Sequence, residues 1–249
     1  MSVLFSISGQ LPLAGIFASF HQSSAAGKFI VILLLAMSAW AWTVIVIKQR
    51  SLRMAKSRSE AFLAEYHSAL HPAALYTEGK KMIGYSPLHQ IYNNACTALG
   101  ASLEAASENA DDLFVGNAIP RIKPSESHIN AVRSAADRAV ADQALLLEEQ
   151  MGFLATAASA APFLGLLGTV WGVMESFGGM TSSGSALLSD VAPGISAALL
   201  TTIVGLVVAL PSSIGYNVLS DKIRRLTVLM DNFAQELTCD LERMNVSGE

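Results

Sequence analysis

The sequence carries little charge for its length. Asp, Glu, Lys and Arg make up 14% of the 249 residues, whereas they make up about 25% of a typical soluble domain. Hydrophobic residues make up 52%, and the mean hydropathy is +0.43. These values exclude an ordinary soluble domain and favour a membrane protein. The net charge is only −4, and no motif indicates a nucleic acid as a partner.

The apolar segments also lack the residues that catalysis requires. Segments 29–47, 151–177 and 191–219 contain no histidine, lysine or arginine, and Glu175 is their only carboxylate. An intramembrane serine protease needs a histidine base, and an aspartyl protease needs two carboxylates. Neither site can be assembled from these residues, so we do not expect an enzyme.

Metal-binding and disulfide-forming residues are equally scarce. His67 and His71 are spaced i, i+4 on a predicted helix, but the sequence offers no further ligand nearby. We therefore expect no metal and no other cofactor. The two cysteines, Cys96 and Cys239, fall in segments that are predicted below to be cytoplasmic, where disulfides are rare. We expect both to be free packing thiols.

Three apolar segments are present, and each is long enough to cross a bilayer. Segment 29–47 has 19 residues without a charge, which is close to the length that a hydrocarbon core of about 30 Å requires. Basic residues follow it directly and place its C-terminal end in the cytoplasm; they are Lys48, Arg50, Arg53, Lys56 and Arg58. The connection 178–190 has no Lys or Arg, so it is predicted to lie on the outer side.

These signals predict an all-α, polytopic membrane protein with three transmembrane helices, whose long helices extend into a helical cytoplasmic domain. The helical pattern that begins near Ile129 has no stop signal before residue 151, so we expect one unbroken helix there. The predicted segments are an outer N-terminal segment (1–28), a first transmembrane helix (29–47), a cytoplasmic helical domain (48–150), a second transmembrane helix (151–177), an outer loop (178–190), a third transmembrane helix (191–219) and a cytoplasmic tail (220–249).

The second and third transmembrane segments are rich in small residues. Gly165, Thr169, Gly172 and Ser176 recur at helical spacing and form one narrow face. A similar face on the third segment includes Thr202. Small residues let neighbouring membrane helices approach closely, so we predict a set of helix-packing residues: Gly165, Gly168, Gly172, Pro193, Gly205 and Ala209.

Each small-residue face carries a threonine at a similar depth. Counted from the predicted outer ends, Thr169 lies about 12 Å deep and Thr202 about 16 Å deep. One interpretation is that both line a lumen that further copies of the chain, or a helix of another protein, complete. The alternative is that both hydroxyls only return hydrogen bonds to their own backbone within tight packing. Spacing alone does not decide between these interpretations.

The same two segments resemble a known family. The stretches "LATAASAAPFLGLLGTVWGVMESF" and "VAPGISAALLTTIVGLVVALPSSIGYNVL" are similar to the paired signature of the MotA/TolQ/ExbB proton-channel family, in its TolQ and ExbB branch. The resemblance implies a subunit of the bacterial inner membrane whose N-terminus and 178–190 loop are periplasmic. It also implies a homo-oligomer, as a pentamer, around the single transmembrane helix of a TolR- or ExbD-like partner. A TolA- or TonB-like protein is a further implied partner.

In this resemblance, proton flow down the proton-motive force drives movement that is transmitted to the outer membrane. Thr169 and Thr202 match the family's lumen-facing polar positions, and the essential carboxylate belongs to an aspartate on the partner. Ala197 stands where the family usually has glutamate. Glu175, one turn from the outer end of its helix, is either a replacement carboxylate at the channel mouth or a solvated interfacial residue.

Two further function classes remain as alternatives at this point. A secondary transporter component would normally show internal repeats and broken helices, and neither is visible. A scaffold that clamps the partner without conducting ions fits the same pattern of small residues. The sequence leaves open whether the system is of the Tol or the Exb type, and whether the ion is a proton or sodium.

Overall fold

The computed structural model describes residues 25–69, 71–77, 85–106, 125–183 and 188–246. Most of the predicted N-terminal segment and the centre of the predicted 178–190 loop lie outside these ranges. Within them the chain is helical and contains no strand. The helices are α1 (Ala25–Ser68), α2 (Ala74–Thr77), α3 (Pro87–Ala106), α4 (Glu126–Glu148), α5 (Met151–Ser183) and α6 (Leu188–Val246). The predicted all-α fold class is confirmed.

Three of these helices, α1, α5 and α6, are long and apolar enough to cross a membrane. Their most apolar stretches have mean hydropathies of 2.6, 1.6 and 2.1. Each contains one of the predicted transmembrane segments. Helices α1 and α6 continue well beyond the apolar stretch, with 44 and 59 residues, so the long helices of the predicted fold class are also present.

The ends of α5 and α6 differ from the predicted limits of the connection between them. Helix α5 continues through Gly178 and Gly179 to Ser183, and α6 already begins at Leu188. Glycine in a helix interior costs only about 1 kcal/mol relative to alanine. The Gly/Ser/Thr-rich composition therefore lowers helix propensity without ending the helix at residue 177.

The chain divides into two compact units. The membrane unit comprises the described residues of 1–46 and 150–218. Its core joins α1, α5 and α6 through Leu34, Ala161 and Val208. Many large apolar side chains of α5 and α6 point outward, among them Phe163, Trp171, Ile203 and Leu210. Such a surface suits lipid or further helices and does not suit water.

The polar unit comprises the described residues of 47–149 and 219–249. Its centre is an aromatic cluster in which Phe62 and Tyr66 of α1 pack against Phe233 of α6, with ring centroids 5.7 and 5.2 Å apart. The Tyr66 hydroxyl donates a hydrogen bond to Asp240 Oδ2 over 2.9 Å. Burial and this carboxylate raise the pKa of Tyr66 above its ordinary value. This unit therefore has a core of its own.

The predicted unbroken helix from residue 129 into the second apolar segment is wrong. Helix α4 ends at Glu148, and Gln150 has a φ of 67°. In a continuous helix, the carbonyls of Leu146 and Leu147 would accept from N–H groups four residues on. Instead the Lys48 Nζ donates to both carbonyls over 3.3 Å. A lysine from α1 thus provides the hydrogen bonds that the last carbonyls of α4 lack. The sequence pattern of α4 itself cannot reveal this contact.

The first prediction concerns membrane orientation. Cys239 is exposed and Cys96 is buried, so wild type offers one reactive thiol in the predicted cytoplasmic tail. We expect a membrane-impermeant maleimide to label Cys239 only after spheroplasts are permeabilised. A Ser183→Cys/Cys239→Ser variant should be labelled in intact spheroplasts, because residue 183 lies in the predicted outer connection. The reverse pattern would show that the predicted orientation is inverted.

Candidate functional site

The small-residue faces of α5 and α6 pack against each other within one chain. A Cβ placed on Gly205 would lie 2.6 Å from the Ala161 carbonyl oxygen and 3.1 Å from Gly165 Cα. A Cβ on Gly165 would lie 3.0 Å from Thr202 Cα. Real Cβ atoms essentially never approach another atom within 2.6 Å, and 3.0 to 3.1 Å is tighter than most Cβ contacts. The two helix backbones therefore meet at a distance that favours glycine and excludes a larger residue at Gly205 without a shift.

The contact continues toward the predicted outer side. A Cβ on Gly168 would lie 2.5 Å from Thr201 Oγ1, and one on Gly172 would lie 2.7 Å from Ala198 Cβ. Ala209 is buried in the core of the membrane unit. Pro193 behaves differently, because it is exposed in this chain. Its predicted packing role would therefore need a neighbouring protein.

Three threonines form a hydroxyl cluster at this contact: Thr169, Thr201 and Thr202. Thr169 Oγ1 is within hydrogen-bonding reach of Thr202 Oγ1, and it lies 3.2 Å from the carbonyls of Gly165 and Ala198. Thr201 Oγ1 lies 2.7 Å from the Ala198 carbonyl, and Thr202 Oγ1 lies 3.1 Å from the Gly165 carbonyl. The two predicted pathway threonines therefore meet across the α5–α6 contact.

The hydroxyl cluster has more hydrogen-bond acceptors than hydroxyl protons to donate. A hydroxyl can donate one hydrogen bond at a time and accept others. The Thr169 hydroxyl, for example, has four oxygen atoms within hydrogen-bonding reach. They are the carbonyl oxygens of Gly165 and Ala198 and the hydroxyl oxygens of Thr201 and Thr202. Several donor patterns are therefore compatible with one arrangement of heavy atoms. This freedom to reverse hydrogen bonds is a property that a proton relay requires.

The three hydroxyls differ in their access to the surroundings. Thr201 is 1% exposed, whereas Thr169 and Thr202 are partly exposed. Thr201 can act only inside the helix contact, while the other two can also face a neighbouring helix or water. Thr201 is not among the residues predicted for the pathway, because it lies one position off the small-residue face. The sequence feature that could have pointed to Thr201 is its position directly before Thr202 in "LLTTIV".

Glu175 and Ala197 occupy different surroundings. Glu175 is exposed, and its carboxylate has no hydrogen-bond or ion-pair partner among the described residues. Ala197 is 2% exposed, so a glutamate at that position would have to enter a packed interior. Within this chain the two positions are not interchangeable, and any role of Glu175 must rest on its own exposed position.

The other candidates from the sequence lie away from the hydroxyl cluster, in the polar unit. His67 Nε2 lies 2.7 Å from Glu236 Oε1. His71 lies beyond the end of α1, so it does not share a helical face with His67 as predicted, and its Nδ1 accepts the Ala73 N–H. Both cysteines are free, but only Cys96 is packed. Burial raises the pKa of the Cys96 thiol to about 12, so this thiol is unreactive.

Comparison with known proteins adds independent information. Residues 106–232 match the MotA/TolQ/ExbB proton channel family. The chain is 31% identical to the Tol-Pal system protein TolQ of Pseudomonas aeruginosa, over 89% of this chain and 90% of that protein. It is also 31% identical to the biopolymer transport protein ExbB of Xanthomonas campestris, over 87% of this chain and 84% of that protein. For the ExbB of Pseudomonas putida, identity is 47% over 35% of this chain.

The second prediction concerns the α5–α6 contact. Gly205→Ala places a methyl group against the Ala161 carbonyl, which belongs to the backbone and cannot rotate away. We expect a loss of about 1–3 kcal/mol in stability, as for other overpacked cores, measured as a lower unfolding midpoint in detergent. Gly152→Ala is the matched control, because its Cβ would meet nothing within 4 Å. Equal stability of the two variants would contradict the described contact.

Proposed function

The chain belongs to the MotA/TolQ/ExbB proton channel family, and on that premise we propose that it is a TolQ/ExbB-like stator subunit. It couples the proton-motive force across the bacterial inner membrane to mechanical work on the outer membrane. The work is transmitted by a TolR/ExbD-like partner and, further out, by a TolA/TonB-like protein. The N-terminus is periplasmic and the C-terminus is cytoplasmic in this proposal.

The observation that carries the proposal is the hydroxyl cluster. It lies between two helices that are apolar enough to cross a membrane, at a level where these two helices offer no charged side chain. Polar groups in such a setting cost free energy unless they are hydrogen-bonded, and within membranes they often mark ion pathways. Thr169 and Thr202 combine cross-helix hydrogen bonds with partial exposure. That combination suits a polar lining beside a partner helix.

The hydroxyl cluster needs a titratable partner. A threonine hydroxyl does not ionise near neutral pH, so it can pass or orient a proton but cannot store one. Among the described residues of α5 and α6 in the membrane unit, the carboxylates are Glu175 and Asp190, and neither is closer than six residues to a cluster threonine along its own helix. We therefore assign proton storage to an aspartate on the partner's single helix, which a pentamer of this chain would surround. Thr169 and Thr202 then face that aspartate.

Glu175 has a separate role in this proposal. Its exposed carboxylate, close to the predicted outer end of α5, raises the local proton concentration at the channel mouth. It does not belong to the hydroxyl cluster, because the contacts of the three threonines do not include it. The proposed order of groups from the periplasm inward is Glu175, the partner's aspartate and the threonine pair.

The specific alternative is a scaffold that clamps the partner without conducting. The hydrogen bond from Thr169 Oγ1 to the Gly165 carbonyl, four residues back in its own helix, favours that alternative. Measured proton flux separates the two functions, because a scaffold gives none above the empty-vesicle background.

The third prediction tests the threonine pair. Thr169→Val and Thr202→Val keep the side-chain shape and remove one hydroxyl each. We expect each to lower proton flux about tenfold, the equivalent of one lost hydrogen bond of roughly 1.4 kcal/mol. The measurement uses proteoliposomes that hold the chain with its single-span partner, an imposed membrane potential and a pH-sensitive dye. Sizing in detergent should show an unchanged assembly.

Thr156→Val is the matched control for this experiment. The Thr156 hydroxyl is exposed and donates only to the Gly152 carbonyl of its own helix, over 2.9 Å. We expect its flux to stay within a factor of two of wild type, about 0.4 kcal/mol. Wild-type flux in both pair variants would remove the pathway assignment and leave packing as the role of these threonines.

The fourth prediction tests Glu175. Glu175→Gln keeps the size of the side chain and removes its charge, so it should slow proton entry when protons are scarce. We expect the defect to be largest at high external pH and to shrink as the external pH falls. Glu148→Gln, an exposed carboxylate at the end of α4, is the control and should show no such dependence. If the variant and wild type show equal flux at every external pH, Glu175 is a solvated residue without a role in proton entry.

A further inference from the structure

A groove with a cationic rim lies within the polar unit, where α1 and α6 run beside each other. It encloses about 280 Å³. Its cations are Arg53 and Lys56 of α1 and Lys222 and Arg225 of α6. Its apolar lining consists of Leu52, Leu226 and Leu229. No carboxylate lines the groove, so it combines positive charge with an apolar floor.

The rim cations are largely available to a ligand. Arg53 and Lys222 make no ion pair or hydrogen bond with any described residue. Lys56 lies 3.6 Å from Glu60, and Arg225 lies 2.9 Å from Asp221, both through exposed pairs on their own helices. Exposed pairs of this kind contribute little free energy. An anion in the groove can therefore replace them without breaking a structural contact.

The position of the groove relates it to the bilayer. Leu52 and Arg53 follow the predicted first transmembrane segment, which ends at residue 47, by about one and a half helical turns, or roughly 8 to 9 Å. Lys222 likewise follows the predicted end of the third segment at residue 219. Arg53 and Lys222 therefore lie near the level at which the headgroups of the cytoplasmic leaflet are expected, whereas Lys56 and Leu229 lie farther into the cytoplasm. Clusters of Lys and Arg directly beyond membrane helices attract anionic lipids.

We propose that this groove binds one anionic phospholipid of the cytoplasmic leaflet. The phosphodiester lies among the rim cations, with Arg53 and Lys222 on the membrane side, and its acyl chains stay in the hydrocarbon core of the bilayer. The charge favours a phosphate over a zwitterionic headgroup, which brings its own cation. The position of Arg53 and Lys222 directly beyond two membrane helices favours a lipid headgroup over an acidic peptide. This site is separate from the proposed proton pathway.

The test is native mass spectrometry of the purified full-length protein, titrated with phosphatidylglycerol and with phosphatidylcholine of the same acyl chains. We expect tighter binding of phosphatidylglycerol to wild type. Arg53→Gln/Lys222→Gln should weaken that binding by at least about tenfold, because each juxtamembrane cation contributes on the order of a factor of five. Arg50→Gln/Arg224→Gln is the matched control. It removes the same charge from the same two helices at exposed positions that do not line the groove.

Several outcomes would overturn the proposal. If both double variants bind phosphatidylglycerol equally weakly, the lipid binds a diffuse basic surface and not the groove. Equal affinity for the two lipids would remove the role of the headgroup charge. Full competition by inorganic phosphate would make this an anion site without an acyl chain. Dissociation of the purified assembly in Arg53→Gln/Lys222→Gln, with unchanged lipid binding, would make a second copy of the chain the occupant.

Discussion

The close approach of α5 and α6 at Gly165 and Gly205 is the contact on which the proposed site depends. Without side chains at these positions, the two backbones come near enough for the Gly165 carbonyl to accept from Thr201 and Thr202 on the other helix. A methyl group at either glycine would push the helices apart and lengthen both bonds. The packing of small residues and the polarity of the hydroxyl cluster are therefore one structural feature.

Because packing and polarity are one structural feature, a packing role and a role in conduction do not exclude each other. The sequence sets these as alternatives for Thr169 and Thr202, but the described geometry makes them compatible. A hydroxyl that bonds across the helix contact stabilises the packing, and the same hydroxyl retains lone pairs for a neighbour. Thr201 is the one that must serve packing alone, because it is almost fully buried. The division of roles therefore follows exposure and cannot be inferred from residue type.

Much of the fold follows from periodicity and composition, because an apolar helix in a membrane must satisfy its backbone internally. The three long apolar helices and the small-residue faces of two of them are predictable on that basis. Features that depend on a distant residue are not. The end of α4 depends on Lys48, about a hundred positions away, and the burial of Ala197 depends on its packed surroundings. Thr201 was missed because a stripe drawn along one helix cannot show which neighbouring positions a second helix covers.

The basic residues after α1's apolar stretch illustrate the same limit. As a group they predict orientation, yet in the structure they make different contacts. Lys48 turns inward, where burial lowers its pKa and the Glu149 carboxylate partly offsets that effect. It is held by two carbonyls at the end of α4. Arg53 and Lys56 line the groove shared with α6; Arg53 makes no ion pair or hydrogen bond with a described residue, and Lys56 makes only an exposed pair with Glu60. A run of like charges next to a membrane helix can thus contain both a helix cap and cations that line a groove, because helical spacing sends its members to different faces.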